Sequence, residues 1–175
     1  MPTVLVIDDN PAVATALETL FSLHDIDTRA AGSPEDGLAA LEAGDIDLVV
    51  QDMNFRADTT SGEEGVALFE RIREAHPDLP VILLTAWTHL ESAVDLVKAG
   101  AADYLAKPWD DRKLLATVNN LLELAETRRV LDRHVRVGAA DATSVFMNMS
   151  DSLPHSAASP MPTQSPQIEK LTMKK

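Results

Sequence analysis

The chain has 175 residues, 45% of them apolar, 4% aromatic and none cysteine, which supplies enough apolar material for one domain of ordinary size and excludes disulfides and thiolate metal sites. Its formal net charge of −13 argues against nonspecific binding to nucleic acid or an anionic membrane, because phosphate contacts need Lys and Arg. No stretch approaches the ~20 consecutive apolar residues of a membrane-crossing helix, and no basic region followed by an apolar run opens the chain, so a cytoplasmic protein is the expectation.

Apolar runs and helical periods alternate along the chain. "TVLVID" reads as a first strand, followed by an amphipathic helix, "NPAVATALETLFSLHD", with Val13, Leu17, Leu20 and Phe21 at helical spacing. Asn10 can cap that helix and Pro11 suits its first turn. "DTRAAG" is a short second strand, and "SPEDGLAALEAG" a helix with Ser33 as cap, Pro34 at the first helical position and Gly44 as stop. "IDLVVQD" is a third strand ending on Asp52. A loop rich in Asp, Thr, Ser and Gly, "NFRADTTSGEEG", precedes the helix "VALFERIREAHP". "PVILLTA" is a buried strand, "THLESAVDLVKAG" a short helix, "ADYLAKP" a fifth strand, and "DDRKLLATVNNLLELAETRRVLDRHVRV" one long helical pattern. Five strands separated by helices imply a parallel sheet covered on both faces, the doubly wound α/β plan.

Residues 138–175 change character. They hold four of the ten prolines and four of the six methionines, and their three acids balance three lysines, so the excess acid lies in residues 1–137. With no sustained period, this tail is expected to be disordered.

In an open parallel α/β sheet, ligands bind beyond the carboxyl ends of the strands. Asp8, Asp9, Asp52, Thr85 and Lys107 stand at those ends. Taken singly, each has a plain reading: a capping or turn acid, a β-branched strand residue, a solvated lysine. Together they form a chemical set. Clustered carboxylates repel one another unless a hard cation such as magnesium neutralises them. A carboxylate facing phosphorus can act as nucleophile, with the cation, an ammonium and a hydroxyl offsetting charge on the phosphoryl oxygens.

"VLVIDDNP", "DLVVQDM", "VILLTAW" and "ADYLAKPWD", in this order and spacing, resemble the receiver domain of bacterial two-component response regulators over about residues 2–125. The resemblance implies a flavodoxin-like, five-stranded parallel sheet of order 2-1-3-4-5 with five helices, the last one extended. It also implies that Asp52 accepts a phosphoryl group from a sensor histidine kinase. Asp8 and Asp9 would organise Mg2+, with Asp9, Asp52 and the backbone carbonyl of Asn54 as direct ligands. Thr85 and Tyr104 would form a switch pair, Lys107 would contact the phosphoryl group, the Lys107–Pro108 bond would be cis, and Ala86 would leave room for phosphoryl oxygens. The face built by the fourth helix, fifth strand and fifth helix would carry the output.

The stretch from Asp52 to Glu63 is longer than the usual loop of the family and lacks its proline. Together with Trp87, it is expected to shield an acyl phosphate from water. The "DMNF…TTSGEEG" loop and the long last helix are similar to those of NtrC-like transcriptional regulators, in which an ATPase domain and a DNA-binding domain follow the receiver. This chain shows no phosphate-binding loop or helix-turn-helix, so it is read either as the receiver of such a regulator or as a stand-alone receiver working by protein contacts. Leu114, Leu115, Val118, Leu121 and Leu122 are expected to pack on the domain, residues 1–125. Residues 126–137 extend the helix, where Leu124, Leu131 and Val135 continue an apolar seam flanked by Glu123, Glu126, Arg128, Arg129 and Arg133, a pattern for a homodimer. A small aspartyl-nucleophile phosphatase of the haloacid dehalogenase type is the alternative, although it would carry "DxDxT" at the first strand where "DDNPA" stands. A flavodoxin-like nucleotide-binding domain would need a Gly-rich loop that is missing here.

Overall fold

The computed structural model describes residues 1–55, 62–85 and 90–150, of which 90–93 and 137–150 are described by their backbone course alone. Five strands, β1 Thr3–Ile7, β2 Asp27–Ala31, β3 Leu48–Asp52, β4 Val81–Thr85 and β5 Asp103–Ala106, alternate with five helices. These are α1 Pro11–Ser22, α2 Pro34–Glu42, α3 Glu63–Ala75, α4 Leu90–Lys98 and α5 Asp111–Ser150. All strand pairs are parallel, in the order β2-β1-β3-β4-β5 that the resemblance implies. Among the described residues, no helix is long and apolar enough to cross a membrane.

The helix starts follow local chemistry. The Asn10 side chain accepts from the backbone amide of Ala12 at 3.0 Å, and Ser33 Oγ accepts from that of Asp36 at 3.1 Å. Each satisfies an amide that the first helical turn leaves without an intrahelical partner. After α2, Gly44 takes φ +83°, a left-handed conformation that costs a residue without Cβ little.

Strand side chains alternate between two cores. Leu5, Ile7, Val49, Val81 and Leu83 join Leu68, Phe69 and Ile72 of α3 on one face. Val4, Val6, Val50, Ile82 and Leu84 join Leu17 and Phe21 of α1 and Leu114 and Val118 of α5 on the other. Phe21 and Phe69 are among the largest fully buried side chains, each contributing on the order of 2 kcal/mol by leaving water. The near-continuous apolar reading of β3 and β4 follows from this coverage on both faces.

Helix α5 departs from the sequence expectation of structure ending at Val137, for its backbone continues to Ser150. Residues 138–150 include three alanines and no proline, and extending an existing helix avoids the unfavourable nucleation step. Residues 151–175 of the expected tail lie outside the described residues. The compact unit itself spans Met1–Arg133. Within it, Arg128 pairs with Asp78 at 3.0 Å and Arg129 pairs with Asp47. The expected apolar seam is exposed at Leu124, Leu131 and Val135. A groove of about 810 Å³ separates this part of α5 from the loops that precede β3 and β4.

Candidate functional site

The register brings the strand ends level. Ile7 pairs with both Ala31 and Gln51, Asp52 with Leu84, and Thr85 with Ala106. Asp8, one residue beyond β1, is held by its backbone amide donating to the Ala31 carbonyl at 3.0 Å. Lys107, one residue beyond β5, donates its backbone amide to the Thr85 carbonyl at 2.8 Å and precedes a cis bond to Pro108. Chain segments a hundred residues apart in sequence thus meet at one edge of the sheet.

The Lys107 ammonium lies 2.7 Å from Asp8 Oδ2 and 3.0 Å from Asp52 Oδ1. The other Asp8 oxygen, Oδ1, accepts from the backbone amide of Asn10 at 2.8 Å. Both acids are 3% exposed, whereas Asp9 is exposed. One oxygen from each of Asp8, Asp9 and Asp52 lies within 4.8 Å of the others. Three carboxylates and no nitrogen or sulfur form an all-oxygen donor set, which suits a hard cation.

Burial is the main cause holding the Asp52 carboxyl above its ordinary value of 3.8, and the Asp8 charge adds to it. Lys107 and the Asn54 backbone amide, which hydrogen-bonds the carboxylate, oppose the rise. Burial acts to lower Lys107, but the hydrogen bonds and charges of Asp8 and Asp52 outweigh it and its ammonium titrates above 10.5. Lys107 is therefore a fixed positive charge against a carboxylate whose negative charge the fold only partly compensates.

Of the residues singled out in the sequence, Asp8, Asp9, Asp52 and Lys107 meet directly, and Asn54 joins them through its backbone. Thr85 ends β4, half-buried, beside the Lys107 backbone. Tyr104 is half-buried on β5 and packs against the core shared with α3. Ala86, Trp87 and most of the long loop after Asp52 lie outside the described residues. Sequence reading missed Gln51, the residue before Asp52, whose buried amide donates from Nε2 to the Gly65 carbonyl at 2.7 Å. Its signal was a lone amide in the aliphatic run "LVVQD".

A family profile described as the response regulator receiver domain matches residues 4–119. The chain belongs to the response regulator receiver family. The receiver is 34% identical over 125 residues to the transcriptional regulatory protein ZraR of Salmonella typhimurium, covering 71% of this chain and 27% of that protein. It is 35% identical over 127 residues to the DNA-binding transcriptional regulator NtrC of Rhizobium meliloti, covering 73% and 25%. The chain thus spans about a quarter of the length of these curated relatives. Among solved structures, a response regulator receiver domain protein from Clostridium thermocellum aligns with a TM-score of 0.65 at 26% identity, over 73% of this chain and 98% of that one. NtrX from Brucella abortus in complex with ADP aligns with a TM-score of 0.67 at 28% identity, over 79% and 30%. The relatives mark this receiver as NtrC-like. Membership of the receiver family sets the phosphatase reading aside.

Proposed function

We propose that Asp52 accepts a phosphoryl group from the phosphohistidine of a sensor histidine kinase, in the presence of Mg2+, and that the change is passed on through the face formed by α4, β5 and α5. One observation carries this reading: a buried carboxylate, Asp52, has a lysine ammonium at 3.0 Å and two further carboxylates beside it. An Asp52 oxygen attacks phosphorus while the phosphorus–nitrogen bond breaks and its electron pair departs on the imidazole, leaving an acyl phosphate. Lys107 is placed to offset the phosphoryl charge, and Thr85 at the end of β4 to hydrogen-bond a phosphoryl oxygen.

Asp9 and Asp52 are the natural direct ligands of Mg2+, together with the Asn54 carbonyl, because both Asp8 oxygens already have partners in Lys107 and Asn10. When bound, the metal supplies positive charge to the phosphoryl oxygens. Thr85 and Tyr104 serve as the switch pair, a two-state element biased by one local charge.

Residues 1–125 are the receiver in this reading, and residues 126–137 a linker through which two copies associate. The likeness to transcriptional regulators supports a role in transcriptional control within the cytoplasm, exerted through an output partner rather than by DNA contact from this chain. The test is acetyl phosphate with MgCl2 on the wild type and on Asp52→Asn, read by intact mass and by sedimentation. A phosphoryl adduct on the wild type alone is expected, with a shift toward dimer. An adduct of equal yield on Asp52→Asn refutes the assignment.

A further inference from the structure

Gln51 is fully buried in β3, on the face that carries Val49, with Ile7 and Leu83 as its strand neighbours. The rest of that row is Ala31, Ile7, Leu83 and Tyr104, so Gln51 brings its one amide. Nε2 donates to the Gly65 carbonyl at 2.7 Å and approaches Met53 Sδ at 3.8 Å, while Oε1 has no partner among the described residues. In a half-satisfied buried amide the cost of the unpaired Oε1 offsets the gain of the Nε2 bond, so its net contribution to stability is small. Stability therefore does not account for the amide.

What the amide reaches does account for it. Gly65 is the third residue of α3, and a Cβ placed on it would lie 2.5 Å from the Met53 carbonyl oxygen and 2.6 Å from Met53 Cα. The start of α3 thus rests directly on the Met53 backbone, between Asp52 and Asn54, and Gln51 fastens it there. The Asn54 amide in turn hydrogen-bonds the Asp52 carboxylate.

We infer that Gln51 is a positioning residue, which pins the start of α3 onto the Met53 backbone and so fixes Asn54 and the Asp52 carboxylate for metal and phosphoryl binding. The inference rests on the reading of Asp52 as phosphoacceptor. Groups that orient metal ligands from behind typically change affinity by about 10–100-fold when lost.

The test compares wild type with Gln51→Met, which keeps the volume and removes the donor. Three quantities are measured: the unfolding midpoint, the backbone amide signals of Met53 and Asn54 in the metal-free protein, and the dissociation constant for Mg2+ from a MgCl2 titration. Gln51→Met is expected to unfold at or above the wild-type midpoint, to shift the Asn54 signal, and to bind Mg2+ about tenfold more weakly. A variant that fails to fold or unfolds well below wild type shows that the amide serves stability, and overturns the inference. Unmoved Asn54 signals with unchanged Mg2+ affinity overturn it as well. Wild-type protein that binds no Mg2+ refutes the phosphoacceptor reading instead, and the metal-free amide signals then decide the role of Gln51.

Discussion

Replacing Lys107 by Met removes the ammonium that lies 2.7 Å from Asp8 and 3.0 Å from Asp52. Both acids stay buried, with oxygens no more than 4.8 Å apart. At an effective dielectric constant of ~20, two full charges at that separation repel by about 3.5 kcal/mol. Removing one partner of a buried ion pair costs ~3–5 kcal/mol, and the 25% exposure of the lysine side chain favours the lower end, about 3 kcal/mol. For a compact unit of 133 residues that corresponds to a drop in melting temperature of roughly 10 °C at neutral pH.

The pH dependence separates this cause from simple loss of packing. Without the ammonium, burial and the Asp8 charge act unopposed by Lys107, so the folded variant holds the Asp52 proton more tightly than its unfolded chain does, and its stability falls as pH rises above the ordinary carboxylate value of 3.8. The deficit relative to wild type should therefore be largest at pH ~7 and shrink toward pH ~4 as Asp52 protonates. Added MgCl2 should recover part of it, since a ligand at 100 times its dissociation constant contributes about 2.7 kcal/mol. Thermal unfolding of both proteins across pH, with and without MgCl2, measures all three effects. A deficit of the same size at pH ~4 and ~7 would refute the electrostatic argument and leave packing as the cause.

In the metal-free protein the Asp52 carboxyl should titrate above 3.8, because burial raises it; its carboxyl carbon signal followed across pH by NMR checks this. Gly65→Ala should destabilise the domain by about 1–3 kcal/mol, since its methyl group meets rigid Met53 backbone, and urea unfolding reads the loss. Exchanging both Arg128 and Arg129 for Ala should change global stability by no more than about 1 kcal/mol, because both arginines and Asp78 are exposed and only Asp47 is partly buried. The same change should speed amide hydrogen exchange in residues 124–133, where the groove leaves α5 few apolar contacts. Salt near 1 M, which shortens the Debye length to ~3 Å, should reproduce that faster exchange in the wild type.

The order of elements was readable in the sequence because each is written in local chemistry. Asn10 and Ser33 cap the helices where expected, and period-two alternation assigns Val4 and Val6 to one face and Leu5 and Ile7 to the other. The acids and the lysine at the strand ends were also readable, since parallel topology sends all such ends to one edge. The end of α5 was not, because a drop in periodicity marks loss of a packing face and says little about propagation of a helix already formed. Which Asp8 oxygen faces Lys107, how far burial raises Asp52, and the seat of α3 on Met53 were decided by tertiary structure alone. Hydrogen bonding and desolvation depend on ångström distances between residues far apart in the chain, and those distances exist only once the sheet has closed its register.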